Sequence, residues 1–127
     1  MQGEPREPIR RRPQSDNLTQ AVRYLLAACR DAGGLDAMAL VDRDGLILAV
    51  AGDLEACQAV AVRLADMTFE PASFRGLVLG ADGHWPMHLQ RLAVTGLALY
   101  ACALGGRADD RARQVARAAA GIERILA

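Results

Sequence analysis

Residues 36–51 read Asp-Ala-Met-Ala-Leu-Val-Asp-Arg-Asp-Gly-Leu-Ile-Leu-Ala-Val-Ala, and this stretch decides the fold. Two apolar runs of strand length flank residues 42–45, where aspartate side chains stabilise a tight turn and Gly45 can adopt a positive φ. Neither run alternates strictly between polar and apolar residues, so we expect both faces of the hairpin to be covered. The segment therefore predicts a β-hairpin inside a small α/β domain.

Helical patterns stand on both sides of this hairpin. Apolar residues at helical spacing predict a first helix from residue 16 or 17 to the glycines at 33–34, with Asp or Asn as its N-cap. A second helix is expected from residue 53 to about 68, and a third from 109 to 126 with two aspartates in its first turn. The expected buried stripe of the third helix consists of Ala112, Val115, Ala119, Ile122 and Leu126, and its arginines at 111, 113, 117 and 124 are expected on or beside the solvent side. Each helix has an apolar face that must be buried against other elements.

Strand-length apolar runs predict a sheet of five strands. We expect them at Ala37–Val41, Leu46–Ala51, Phe74–Gly80, Met87–Val94 and Leu97–Leu104. The last run is entirely apolar and is therefore expected at the centre of the sheet. Short connections make neighbouring strands antiparallel, so the order αββαβββα predicts an α/β (α+β) fold: a five-stranded antiparallel sheet with helices on its faces.

Composition excludes several classes of function. The 127 residues have a formal net charge of zero, which argues against broad attraction to nucleic acid or to acidic membranes. Every basic residue is arginine, so a phosphate-loop lysine, Schiff-base chemistry and Ser-Lys catalysis are excluded. Three widely spaced cysteines in apolar surroundings predict reduced, buried thiols, which favours the cytoplasm. No apolar stretch opens the chain, and the longest apolar run, residues 92–104, is short and interrupted at residues 95–96. Neither a secretory signal nor a membrane span is therefore expected.

The N-terminal segment differs from the rest of the chain. Residues 1–15 hold three prolines and the triplet Arg10-Arg11-Arg12, and they predict a disordered Pro/Arg-rich arm before a domain at 16–127. The arm is either a solvated tail or a contact for an acidic partner surface. A nucleic-acid accessory role for its arginines is a weaker hypothesis.

No set of residues completes an active site. The two histidines, His84 and His88, frame Trp85-Pro86-Met87 and lack the further ligands that a zinc site needs. Asp42 and Asp44 are expected to bond the backbone of the hairpin turn. The sequence thus predicts no catalytic residue, no metal ligand and no cofactor site, which favours a binding protein.

The second helix is apolar on two sides, and a helix of this kind requires two partners. The face expected against the sheet consists of Leu54, Cys57, Val60, Ala61 and Leu64. The second stripe, which predicts a dimer interface, consists of Gln58, Val62, Ala65 and Phe69. The remaining polar strip consists of Glu55, Arg63 and Asp66. Alternatively, Phe69 folds back into its own domain.

With this order of elements, the chain resembles the roadblock / dynein light chain family, chiefly through the Gly-hydrophobic step, strand and Asp-Gly hairpin of residues 34–47. The resemblance implies a profilin-like fold and dimers in which the second helix meets its symmetry mate. It also implies sheets joined along an edge strand at Phe74–Gly80, with Arg75, Leu77 and Leu79 in the interface. Family members regulate or scaffold small Ras-like GTPases, and bacterial members of the MglB type stimulate a polarity GTPase without supplying an arginine finger.

The first hypothesis is therefore a cytoplasmic homodimer, or a heterodimer with a paralogue, that regulates a small Ras-like GTPase. Glu55, Arg63 and Asp66 are its expected partner-binding residues. The rival hypothesis is a profilin-like or PAS-like sensor domain for a small molecule or a metal. In that case His84, Trp85 and His88 would line one site.

Overall fold

The computed structural model describes residues 13–67, 71–94 and 96–127, with side chains from residue 17 onward. These residues form three helices and five strands in the predicted order αββαβββα. They are α1 (Pro13–Gly33), β1 (Ala37–Asp42), β2 (Ile47–Gly52), α2 (Leu54–Ala65), β3 (Ser73–Leu79), β4 (His84–Arg91), β5 (Leu99–Leu104) and α3 (Ala108–Leu126). No helix in these ranges is long and apolar enough to cross a bilayer.

The five strands form one antiparallel sheet in the order β2-β1-β5-β4-β3. The fully buried β5 lies at the centre, as its uninterrupted apolar sequence predicted. The two edges of the sheet are β2 and β3. The expected antiparallel fold with helices on its faces is therefore confirmed.

Helices cover both faces of the sheet. On one face α1 packs over β1 and β2, and α3 packs over β4 and β5, with the two helices in contact. Of the described helices, α2 is the one on the other face. There is one hydrophobic core on each face of the sheet, and alternate residues of β1 contribute to them. Met38 and Leu40 point to α1 and α3, whereas Ala39 and Val41 point to α2.

The hairpin has the expected turn chemistry. Asp42 Oδ1 accepts the N–H groups of Asp44 and Leu46, each at 2.9 Å. Gly45 has a φ of 89°, and a Cβ there would lie 2.8 Å from the carbonyl oxygen of Ala61. Glycine at this position thus satisfies both the turn and a close approach of the hairpin to α2.

Several element boundaries differ from the sequence predictions. Helix α1 begins at Pro13, which suits the first turn because proline lacks only an N–H that a helix start leaves unpaired. Strand β4 runs from His84 to Arg91 rather than over residues 87–94. Pro86 is tolerated inside it because its carbonyl faces Gly105, where β5 has ended, so no ladder donor is lost.

Three side chains lie on the other side of their helix than expected. Leu54 is 52% exposed, and Ala56 takes its place against the sheet. In α3, Ala112 is exposed, and Arg111, expected on the solvent side, is 8% exposed. The helical phase of α3 is set by Arg111, Val115, Ala118 and Ile122, which follow one another at spacings of four, three and four residues.

Candidate protein-interaction surfaces

The second stripe of α2 is exposed in the single chain. Val62 is 63% exposed, and Gln58 and Ala65 are exposed beside it. Phe69, the fourth member of the stripe, lies outside the described residues. Since Cys57, Val60 and Leu64 are buried against the sheet on the opposite side, α2 is apolar on two sides and covered on one.

A groove runs along this stripe and separates α2 from the β1–β2 hairpin. Its volume is about 460 Å³, and it is lined by Asp44, Gly45, Ile47, Gln58, Ala61, Val62 and Ala65. We call it the α2 groove. It therefore lies towards the β2 end of the sheet, whereas β3 is the opposite edge. The structure thus separates the stripe from the edge strand, two surfaces that the family resemblance assigned to one interface.

The polar residues expected to bind a partner lie along the outer side of α2. Arg63 and Asp66 are exposed, and Glu55 is half-buried. The Glu55 carboxylate accepts the N–H of Asp82 at 3.1 Å and so links the start of α2 to the β3–β4 turn. Glu55 therefore has a role within the fold, and Arg63 and Asp66 are the more accessible charges.

The β3 edge is regular, apolar and open. Its seven residues pair with β4 without a register shift, and Leu77 and Leu79 are 56% and 73% exposed. The carbonyl of Pro86, the residue opposite Leu77, accepts from Gly105 N–H on the far side of β4. Leu77 therefore directs its own N–H and C=O outward, and alternation gives Ser73, Arg75 and Leu79 the same direction.

The β2 edge is interrupted. Leu40 pairs with Ala49 and Val41 with Ile47, so Leu48 has no partner in the register and forms a bulge. Bulges on edge strands oppose pairing with another chain, whereas β3 has none. Of the two edges, β3 is the one suited to pair with a second strand.

The histidine segment does not form the single site that the sensor hypothesis required. Alternate residues of β4 point to opposite faces, so Trp85 packs in the core under α2 while His88 faces α3. His84 is exposed at the start of the strand. The expectation that His84, Trp85 and His88 line one site is wrong because strand alternation places Trp85 on the face opposite to the two histidines.

His88 instead takes part in a buried cationic cluster. Arg111 Nε donates to His88 Nδ1 at 3.1 Å, and Arg111 Nη1 donates to the carbonyls of Gly105 and Gly106 at 2.9 and 2.8 Å. Burial, followed by the charges of Arg111 and Arg75, lowers the pKa of His88. The ring is therefore held neutral, and within the described part of the chain the guanidinium of Arg111 donates to neutral acceptors.

A second groove lies between α1, the hairpin and the β4–β5 connection. It has a volume of about 630 Å³ and a largely apolar lining. Exposed leucines form part of its rim: Leu18, Leu48 and Leu97 are 40%, 39% and 51% exposed. Arg43 and Asp44 add charges at the hairpin end. We call it the α1 groove.

The cysteines offer no reactive thiol. All three are buried and unpaired. Burial, and then the charge of Asp53, raises the pKa of Cys57 to about 12, and burial also raises that of Cys102. Within residues 13–67, 71–94 and 96–127, no three His, Cys, Asp or Glu side chains are grouped as metal ligands would be.

Comparison with known proteins identifies the fold. MglB of Myxococcus xanthus superposes with a TM-score of 0.63 at 11% identity, covering 84% of this chain and 88% of that one. The gliding protein MglB of Thermus thermophilus superposes with a TM-score of 0.62 at 14% identity, covering 86% and 90%. A third solved structure, MglB with tetrameric arrangement, gives 0.58 at 14%, covering 91% and 92%. No family model and no curated protein matches the sequence.

The chain therefore has the roadblock fold of MglB, as the resemblance in residues 34–47 implied. One feature, the burial of Arg111, was not predicted from the sequence. Its spacing from Val115 and Ile122 placed it on the buried stripe of α3, but an arginine is normally assigned to the solvent side.

Proposed function

We propose that this chain is a non-catalytic, dimeric binding module that regulates or scaffolds a small Ras-like GTPase. The observation that carries the proposal is an open, regular β3 edge with two exposed leucines on the fold of MglB. The GTPase itself is suggested by the roadblock resemblance. According to that resemblance, members of the family act by binding.

In the proposed dimer, two β3 strands pair across a two-fold axis and give one ten-stranded sheet. Each outward-facing residue would contribute an N–H and a C=O to the new ladder. The side chains of Arg75, Leu77 and Leu79 would then pack beside those of the other protomer. Pairing of this kind is isologous, so it closes after two copies.

The outer surface of α2 is proposed as the contact for the GTPase. It combines the exposed Val62 with the charges of Arg63 and Asp66 and the adjoining α2 groove. Because the groove lies at the β2 end of the sheet, it remains open when β3 is paired. The alternative, in which the stripe contacts the second copy, makes a different prediction for one substitution.

That substitution is Val62→Glu, with Tyr24→Glu on α1, on the opposite face of the sheet, as its matched control. On our assignment, Val62→Glu stays dimeric by light scattering and loses binding to the GTPase, whereas Tyr24→Glu retains both properties. A monomeric Val62→Glu would instead place the stripe in the dimer interface. Both side chains are exposed, so neither change should unfold the domain.

The decisive assay for the GTPase is binding to Ras-like proteins encoded or expressed with this chain, each loaded with GDP or with a non-hydrolysable GTP analogue. We expect one nucleotide state to bind in preference to the other, and hydrolysis of GTP to accelerate if the chain is an activator. Equal or absent binding in both states, for all of them, would reject the GTPase assignment.

The α1 groove favours a second candidate function, the binding of an apolar small molecule. Its volume and lining are within the range of ligand sites. A ligand that binds only the folded state raises the melting temperature, so a thermal-shift screen against metals and metabolites separates the two functions. Leu97→Asp at the rim should abolish any shift produced at this groove.

A further inference from the structure

Helices α1 and α3 form one layer, which covers four of the five strands and does not extend over β3. Helix α1 lies over β2 and β1, and helix α3 lies over β5 and β4. The two helices are thus two strands apart, or about 9.6 Å at the usual strand spacing, which is the distance at which helices pack. No described helix covers β3 on this face.

Pairing of two β3 strands would place this uncovered strip at the centre of the dimer. Between the two α3 axes there would be four strand spacings, about 19 Å in a flat sheet. Helix packing distances are about 8–10 Å, so a gap of this width accommodates one further helix in contact with both α3 helices. We call this gap the β3 trough, and its existence rests on the dimer proposed above.

The floor of the β3 trough is apolar. Val78 is buried towards α2, so Leu77 and Leu79 point to the opposite face, where they remain exposed. Pro86 lies beside Leu77 in the register, and His84 beside Leu79. The dimer would contribute four exposed leucines to one continuous surface, and such a patch is typical of a protein-interaction site.

The walls of the β3 trough are smooth. Gln114 and Gly121 lie on the α1 side of α3, close to Gly33 and Leu25 respectively. A turn of 100° per residue places a different set on the opposite side. That set consists of the exposed alanines Ala108, Ala112 and Ala116 and, nearer the C-terminus, the half-buried Glu123, whose carboxylate accepts the N–H of Ala93 at 2.7 Å. The short alanine side chains leave room for a helix to approach α3 closely.

Charge indicates which kind of helix would bind. Arg111, His88 and Arg75 form a row from α3 across β4 to β3, because His88 bonds Arg111 and pairs with Arg75 in the register. Among the described residues, the Arg111 guanidinium donates to neutral acceptors, and Arg75 is exposed. Asp109 and Arg107 at the start of α3 offset each other in formal charge. Arg111 and Arg75 carry two positive charges against the one negative charge of Glu123, so the floor keeps a positive potential.

We propose that the β3 trough of the dimer binds one amphipathic α-helix of a partner protein, with leucine-like residues against the floor and acidic residues towards Arg75. The seven residues of β3 span about 23 Å, so a helix of about 16 residues matches its length. The trough lies on the two-fold axis, so one helix binds per dimer rather than one per chain.

The test uses two fluorescein-labelled 16-residue peptides that share a leucine face and carry either glutamate or lysine on the polar face. We expect the acidic peptide to bind the dimer saturably at one per dimer, and at least about tenfold tighter than the basic peptide. Arg75→Glu should reverse this preference, and Ala112→Glu in the wall should block binding. Arg113→Glu makes the same charge change outside the trough and should retain binding.

Light scattering on the same samples separates the two proposals. A monomeric wild-type chain would overturn the β3 dimer and the trough with it. A dimer that fails to bind the acidic peptide, binds two peptides, or binds equally after Arg75→Glu would overturn the trough alone. A tetramer that Ala112→Glu dissociates into dimers would assign the surface to further copies of this chain and would also overturn the proposal.

Discussion

Replacing Leu77 by proline tests the β3 dimer at the level of a single backbone N–H. Leu77 lies opposite Pro86, whose carbonyl points away from β3, so the Leu77 N–H points to the open edge. Proline at this position removes no hydrogen bond between β3 and β4. Edge strands tolerate proline on their outward side for this reason. We therefore expect Leu77→Pro to fold and to fail specifically in pairing.

The size of the effect follows from the symmetry of the proposed interface. Each protomer donates one Leu77 N–H, so the substitution removes two hydrogen bonds from a dimer. A hydrogen bond contributes about 0.5–1.5 kcal/mol net, which gives a loss of about 1–3 kcal/mol. The dissociation constant of the dimer should rise about 5- to 150-fold.

Sedimentation velocity over a concentration series measures this constant directly. Leu77→Ala is the matched control because it removes the side chain and retains the N–H, so the difference between the two variants isolates the backbone. Far-UV circular dichroism and the melting temperature confirm that both variants fold. If Leu77→Pro dimerises as tightly as Leu77→Ala, the β3 ladder is not the interface and the reasoning is refuted.

Three further predictions concern the single chain. Because the pKa of His88 is lowered in the folded state, the unfolded state binds a proton below about pH 6.5 that the folded state does not bind. The free energy of unfolding should therefore fall from pH 7 to pH 5, as measured by urea unfolding. The fall should be smaller in His88→Asn than in the His84→Asn control. Gly45→Ala should cost about 1–3 kcal/mol more than Gly96→Ala, because both have positive φ but only the first adds a Cβ against α2; equal losses in chemical denaturation would contradict the contact. With a pKa of about 12, Cys57 is about 10⁻⁴ thiolate at pH 8, so Ellman's reagent should modify the folded chain slowly and all three thiols rapidly in urea.

Local patterns were sufficient to predict the order of elements. The hairpin at residues 42–45 depends on contacts between neighbours in sequence, and the side chain of Asp42 makes them as expected. The central place of β5 followed from its uninterrupted apolar sequence, since only a strand covered on both faces buries six successive side chains. These features depend on residues close together in the chain.

The errors arose where distant segments decide the outcome. Strand β4 was expected to begin after Pro86, because a proline normally ends a pairing strand. It continues because the last residue of β5, Leu104, pairs with Met87, one residue before Pro86 would need a partner. The end of β5 depends on residues distant from Pro86 in sequence. Arg111 was placed in solvent for a similar reason: its acceptors are carbonyls of the preceding turn and a histidine 23 residues away.

For the interaction surfaces, too, the sequence indicated which residues take part but not where they lie relative to one another. The second apolar stripe of α2 predicted an exposed Val62, and the family resemblance implied that Leu77 and Leu79 lie in an interface. Each of the three is more than half exposed. Neither the pattern nor the resemblance could show that the α2 groove and the β3 edge lie at opposite ends of the sheet, because this separation depends on the strand order. In the proposed dimer, a two-fold axis beside β3 would leave the α2 groove accessible to a further partner.

The difference between the two sheet edges explains why such an assembly would stop at two copies. If β2 and β3 were equally able to pair, β3–β3 and β2–β2 contacts would alternate and extend the sheet without limit. The bulge at Leu48 interrupts the β2 ladder, and α1 packs over that strand. Removing the bulge by deleting Leu48 should therefore favour concentration-dependent oligomers larger than the dimer in light scattering. A deletion variant that folds and remains dimeric would show that something other than the bulge protects this edge.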